Sequence, residues 1–227
     1  MNNPRIFGRR ARLVGIALLV TAGTAAAQTV EVSPLVGTRQ FGTVKLDSEG
    51  PPRADAHMAG SITYGVAAGY RHENDTTEDH DLVEFRWMRQ DSHLYIKQNP
   101  LQVTPYSTTF PGPGFRPSVT LDHFLADFTH EFAVPEARMI QPFITIGFGA
   151  SYLSTAASGM TRFAFDTGAG IKVFPTLHYG FRLSVEYLPT VMVTDIQRLV
   201  CAGGCVVILS GGMMNQLNIS FGPAFRF

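Results

Sequence analysis

Three groups of residues in this chain are of types that could do chemistry, and each meets a physical objection. The run HENDTTEDHD gathers His72, Glu73, Asp75, Glu78, Asp79, His80 and Asp81. Carboxylates suit hard divalent cations, but the run lacks the glycine and the ligand periodicity of a calcium loop. It reads as a solvated turn. The second group is the histidines His123, His130 and His178. A nucleophilic hydrolase needs a base within hydrogen-bond reach of its nucleophile and an orienting carboxylate behind that base. No serine–histidine–glutamate spacing accompanies His130, so no catalytic residue is assigned. The third group is Cys201 and Cys205 in CAGGC. In an exported chain a disulfide is the expected state, and two thiolates with no histidine nearby leave a zinc ion half-coordinated. The glycine-rich pieces GFGAS and GAGIK lie inside alternating segments with no helix after them, so a dinucleotide loop fails. Neither a metal nor a cofactor site is expected.

The segments that hold these residues begin after a leader. MNNPRIFGRRAR carries four arginines and no acid, LVGIALLVTAG is a short apolar run, and TAAAQ offers an Ala-x-Ala cleavage site. Residues 1–27 read as a secretory signal peptide, with 28–227 as a single domain. The apolar run is too short to span a bilayer as a helix. Without the leader's four arginines, 14 bases face 18 acids. The chain therefore lacks the basic footprint of a nucleic-acid binder, and no nucleic-acid partner is expected.

Alternation of period two runs through the whole domain. In QLNISFGPAFRF, Leu217, Ile219, Phe221, Pro223, Phe225 and Phe227 fall on one face. Gln216, Asn218, Ser220, Gly222, Ala224 and Arg226 fall on the other. The same pattern recurs in VEVSPLVGTR, SITYGVAAGYR, LVEFRWM, HFLADFTHEF, QPFITIGFGASY, RFAFDTGAGIKV and LHYGFRLSVEYL. Eight strands of about 10 residues result, the length that crosses a membrane at a tilt. The connections alternate between long (42–60, 91–117, 190–214) and short, with a modest loop near 154–160. That asymmetry marks an eight-stranded antiparallel up-and-down transmembrane β-barrel.

The polar face decides the orientation. It is rich in glycine, alanine and serine at mid-strand, which suits a cramped interior rather than a solvated exterior. The bulky face then meets lipid, with Tyr70, Trp87, Tyr152, Tyr179 and Tyr187 near the strand ends as an interfacial girdle. The lumen receives Glu84, Arg86, Asp127, Glu131, Arg162, Asp166, Lys172, Arg182, Glu186 and Arg226, with Arg39 and Arg71. His123 and His178 are assigned to the same face. Buried charges must pair, and eight strands leave room for little besides side chains. A closed, salt-bridged plug is expected.

The runs FRWMRQDSHL, QPFITIGFGASYL, RFAFDTGAGIKVFPTLHYGFRLSVEYLPT and the end CAGGC…FGPAFRF resemble small bacterial outer-membrane barrels of the OmpA/opacity-porin type. The resemblance implies an outer-membrane location and lipid as the surrounding partner. Phe221, Phe225 and Phe227 are similar to the C-terminal signal read by the barrel assembly machinery. It implies a non-enzymatic structural or surface role carried by long extracellular loops, whose ligand the sequence does not name. The alternatives are a narrow channel for small or hydrophobic solutes and a lipid A-modifying enzyme.

Overall fold

The computed structural model of the chain describes residues 30–40, 42–46, 54–73, 79–97, 116, 118–137, 139–156, 158–192, 197–200, 206–209 and 212–227. The signal segment 1–27, Cys201, Cys205 and most of TTFPGPGFRP lie outside the described residues. In chain order the strands are β1 (Val30–Gln40), β2 (Thr43–Leu46), β3 (Ala54–Met58), β4 (Ser61–Glu73), β5 (His80–Lys97) and β6 (Ser118–Glu131). They continue as β7 (Ile140–Ser154), β8 (Gly159–Val173), β9 (Tyr179–Met192), β10 (Gln197–Val200), β11 (Val206–Leu209) and β12 (Gly212–Arg226).

Eight of them close into one antiparallel barrel. β1 pairs with β4, and the pairing runs on through β5, β6, β7, β8 and β9 to β12. β12 then returns to β1, with Val36 opposite Phe221 and Glu31 opposite Arg226. Closure removes the free edges that would leave backbone groups unpaired in hydrocarbon.

At one end of the barrel lie the start of β1, the end of β12 and the connections β4–β5, β6–β7 and β8–β9; this is the terminal end. The backbone N–H of Phe227 donates to Val30 O there at 2.9 Å. The other end, the far end, carries the β1–β4, β5–β6, β7–β8 and β9–β12 connections. Three expectations change here. β5 does not give way to a loop at Asp91 but continues to Lys97, where Met58 to Asp55 of β3 pair with Leu94 to Lys97. Its alternation persists, since Ser92 and Leu94 are buried while Asp91, His93 and Tyr95 are exposed. β2 pairs with β3, β11 with β2 and β10 with β11, so a small sheet extends the wall beyond the barrel. The β7–β8 connection is a tight hairpin rather than a modest loop. Ser154 pairs with Gly159, and Thr155 N–H donates to Ser158 O at 2.8 Å.

The outer wall is apolar. Ile62, Val83, Ile146 and Phe148 are each more than 60% exposed. Phe181 and Phe221 stack on that wall with centroids 6.0 Å apart. A continuous patch of this kind is a surface built for a nonaqueous neighbour. Its height can be read on β5, whose outward residues run Asp81, Val83, Phe85, Trp87, Arg89. Eight residues separate the two charged ends, about 27 Å along the strand and about 20 Å along the barrel axis at a tilt near 40°. That is close to the apolar band of a membrane barrel. The far rim is marked by Trp87, whose Nε1 donates to Asp122 Oδ1 at 3.1 Å, and by Tyr64, set edge-on to Trp87 at 6.2 Å. Arg89 pairs with Asp91 at 3.5 Å just beyond them.

Candidate functional site

Alternation turns the other half of every strand into the barrel, where the side chains sort into layers along the axis. The layer at the terminal end is ionic. Lys172 Nζ pairs with Glu31 Oε1, lies 2.6 Å from Glu131 Oε1, and is 3.9 Å from Glu84 Oε1. Arg182 Nη1 donates to Glu84 at 2.6 Å, Arg226 Nη2 to Glu31 at 3.0 Å, and Arg71 Nε lies 3.3 Å from Glu131. Two aromatic rings complete this layer. The guanidinium of Arg182 lies 4.8 Å from the centre of the Phe143 ring, and that of Arg226 lies 3.7 Å from the Phe174 ring. Cations on ring faces gain most where water is excluded.

The middle layer is organised by one residue. Arg86 pairs with Asp127 at 3.0 Å and also with Asp166 and Glu186. Ser184 donates to Glu186 Oε1 at 2.8 Å, and Asn218 Nδ2 donates to Glu186 Oε2 at 2.9 Å. Gly147 stands between two of these acids. A Cβ there would overlap both Asp127 Oδ1 and Asp166 Oδ1. This is one position where only glycine lets a backbone come so close to the charged groups.

A ring of neutral polar groups follows. Gln216 Nε2 donates to Gln90 Oε1 at 3.3 Å, Ser151 Oγ lies 2.6 Å from His123 Nδ1, and Ser151 Oγ lies 3.2 Å from Thr190 Oγ1. Above it, toward the far end, Met58, Leu94, Leu121, Leu153, Met160, Met192 and Met214 are all buried. Met58 comes from β3, so the end of that strand turns a side chain into the far-end layer. Its Sδ accepts from Gln216 Nε2 at 3.5 Å.

Of the residues assigned to the lumen from sequence, Glu84, Arg86, Asp127, Glu131, Asp166, Lys172, Arg182, Glu186 and Arg226 converge in these two charged layers. Arg162 does not. It lies near the far rim, half-buried, where Nη1 donates to Thr161 O at 3.3 Å, and it pairs with none of these acids. His178 is exposed in the β8–β9 turn rather than luminal. Arg39 is fully buried, yet among the described residues none of its three guanidinium nitrogens has a hydrogen-bond partner. Glu31 joins the network without having been singled out; its signal was its parity with Ser33 and Arg39 on β1. His130 lies on the outer face, half-buried, with Nδ1 2.7 Å from Asp81 Oδ1. Phe221, Phe225 and Phe227 line the outer face of β12, Phe225 edge-on to Tyr179 at 6.0 Å.

The Ser151–His123 contact is fully buried, and Thr190 occupies the other side of the serine. A cleft of about 310 Å³ lies at the terminal end, bordered by His80, Glu131, Phe132, Val134, Ile140 and Gln141. It opens beside the ionic layer, with which it shares Glu131.

No family model and no curated protein sequence matches the chain. Solved structures similar to it include Neisserial surface protein A, at 12% identity over 87% of this chain and 97% of that one, TM-score 0.46. The N-terminal β-barrel domain of Pseudomonas aeruginosa OprF is 13% identical over 89% and 100%, TM-score 0.44. The outer membrane protease OmpT from Escherichia coli is 7% identical over 88% and 97%, TM-score 0.47. Closed pairing, an apolar outer wall of membrane height and a charged interior give this chain the architecture of a small eight-stranded outer-membrane β-barrel.

Proposed function

We propose that the chain is a non-enzymatic protein of the bacterial outer membrane, closed to solutes, that acts through the segments beyond its far end. In that orientation the termini and the short turns face the periplasm and the long connections face outside, as in other barrels of this class. Its surrounding partner is outer-membrane lipid, and its maturation partner is the barrel assembly machinery. The observation that carries the reading is the filled lumen. Six acids interlock with five cations across the axis, and a buried Met and Leu layer follows them. An open pore would need this network parted, at the cost of leaving buried charges unpaired. The sealed position of Ser151 and His123 supports the absence of hydrolysis at that pair.

Recording the purified, folded protein in planar bilayers tests the reading. It expects no large, stable conductance. Steady porin-like channels would overturn it.

A second reading is favoured by the far-end layer. Methionine is adaptable and accommodates irregular apolar guests, so Met58, Met160, Met192 and Met214 could part for a small hydrophobic solute. Uptake of such a solute by cells expressing the barrel, lost in Met58→Trp, would favour carriage over a purely loop-borne role. A lipid A-modifying activity has no residue to carry it in the layers above. Mass spectra of lipid A that change with expression of the gene would bring it back.

A further inference from the structure

The middle layer gathers three acids on one directly paired cation, with the buried Arg39 near them but paired to none. Arg86 is the sole positive group within ion-pair distance of Asp127, Asp166 and Glu186 among the described residues. Glu186 spreads its charge over Ser184 and Asn218 as well. Asp127 and Asp166 have no such help. Their Oδ1 atoms make no hydrogen bond to any donor, and both press on the same point beside Gly147. Two oxygens that crowd one Cβ position can be no more than a little over 4 Å apart, a separation at which two full negative charges repel strongly in a dry interior.

We propose that Asp127 and Asp166 hold one proton between them, as a buried proton-binding site in the barrel wall. The proton sits on one Oδ1 and is donated to the other, so both orphaned oxygens are satisfied and the layer loses one negative charge. A metal ion fits less well. Hard cations take six or more oxygens, and here two carboxylates face each other with the β7 backbone at Gly147 closing the third side. The charged and polar groups around the pair are known from every neighbouring strand. Glu84 and Arg86 come from β5, Glu186 and Arg182 from β9, Asn218 from β12 and Arg39 from β1. Arg182 is committed to Glu84 at 2.6 Å, and Arg39 makes no ion pair with either aspartate. The site does not depend on what the external loops do.

The pair makes the barrel sensitive to alkali. The folded state keeps a proton that the unfolded chain releases at neutral pH, so stability falls as pH rises. The unfolding equilibrium shifts about tenfold toward the unfolded chain per pH unit while that difference lasts. The proton then leaves the folded state too, and β6 and β8 are left repelling each other across β7.

Infrared spectroscopy of the folded protein in lipid, with isotope-labelled aspartate, tests this directly. A protonated-carboxyl C=O band at neutral pH is expected in the wild type. It should disappear in both Asp127→Asn and Asp166→Asn, because an amide replaces the shared proton as donor and leaves the partner ionised. Urea unfolding of the same variants should show a weaker fall in stability from about pH 5 to about pH 8 than the wild type, the range in which the unfolded chain has released the proton and the folded barrel keeps it. No such band in the wild type would overturn the proposal. So would a band kept in both variants, or one lost in only one of them, which would place the proton on a single carboxyl.

Discussion

Arg182 Nη1 donates to Glu84 Oε1 at 2.6 Å across the inside of the barrel, joining residues 98 positions apart in the chain. Both side chains are buried, and Thr129 Oγ1 also donates to Glu84, at 3.2 Å. The pair spans from β5 to β9 and ties opposite walls of the cylinder together. Glu84→Gln leaves the Arg182 charge without its counterion and is expected to destabilise the folded barrel by about 3–5 kcal/mol. Arg182→Met added to Glu84→Gln should recover a large part of that loss, measured by urea unfolding from lipid vesicles. An additive double variant would mean that the two residues are not coupled.

The outer wall should tolerate charge according to depth. Phe148 lies mid-strand on β7, opposite Phe165 and Ala126, and is 63% exposed to the bilayer. Phe148→Arg is expected to cost about 2–4 kcal/mol, whereas Tyr152→Arg, four residues nearer the far rim, should cost about 0–1 kcal/mol. Equal costs at the two positions would contradict the assignment of the apolar face to lipid.

The last strand should be read during assembly. Phe227 sits at the end of the outward aromatic row of β12, with its N–H bonded to Val30 O at 2.9 Å. Removing its ring by Phe227→Ala deletes little packing, because the side chain is 49% exposed. It is therefore expected to lower the yield of folded barrel in cells several-fold while leaving the stability of refolded protein within about 1 kcal/mol of wild type. Equal losses in both measurements would mean that the ring is structural.

Much of the fold and of the lumen was legible because the sheet period is two and one face is apolar. A strand such as QLNISFGPAFRF assigns each residue to a face by counting alone. What counting cannot give is height along the axis or the point where a strand stops. Arg162 has the luminal parity, but it lies beside the Thr155–Ser158 turn, above the acids it would need to reach. His178 has the parity too, yet β9 starts one residue later, so the count ran past the strand's end. Glu31 was overlooked because β1 carries Leu35 and Gly37 on its inner face and Pro34 on its outer one, which blurs the polar stripe. The extension of β5 to Lys97 depends on pairing with β3, a contact between segments far apart in sequence, and the polar residues from Asp91 to His93 mimic a loop. The crowding of Asp127 and Asp166 at Gly147 was hidden for a related reason. Three strands bring those residues together, and no single stretch records it.

The chain has a single tryptophan, Trp87, on the outer wall beside Tyr64, with Nε1 bonded to Asp122 at 3.1 Å. Its fluorescence therefore reports on the face claimed for lipid without any mutation. In vesicles whose acyl chains carry bromine near the headgroup, the emission should be strongly quenched, and aqueous iodide should quench it little. Emission indifferent to brominated lipid but quenched by iodide would contradict the orientation of the barrel wall.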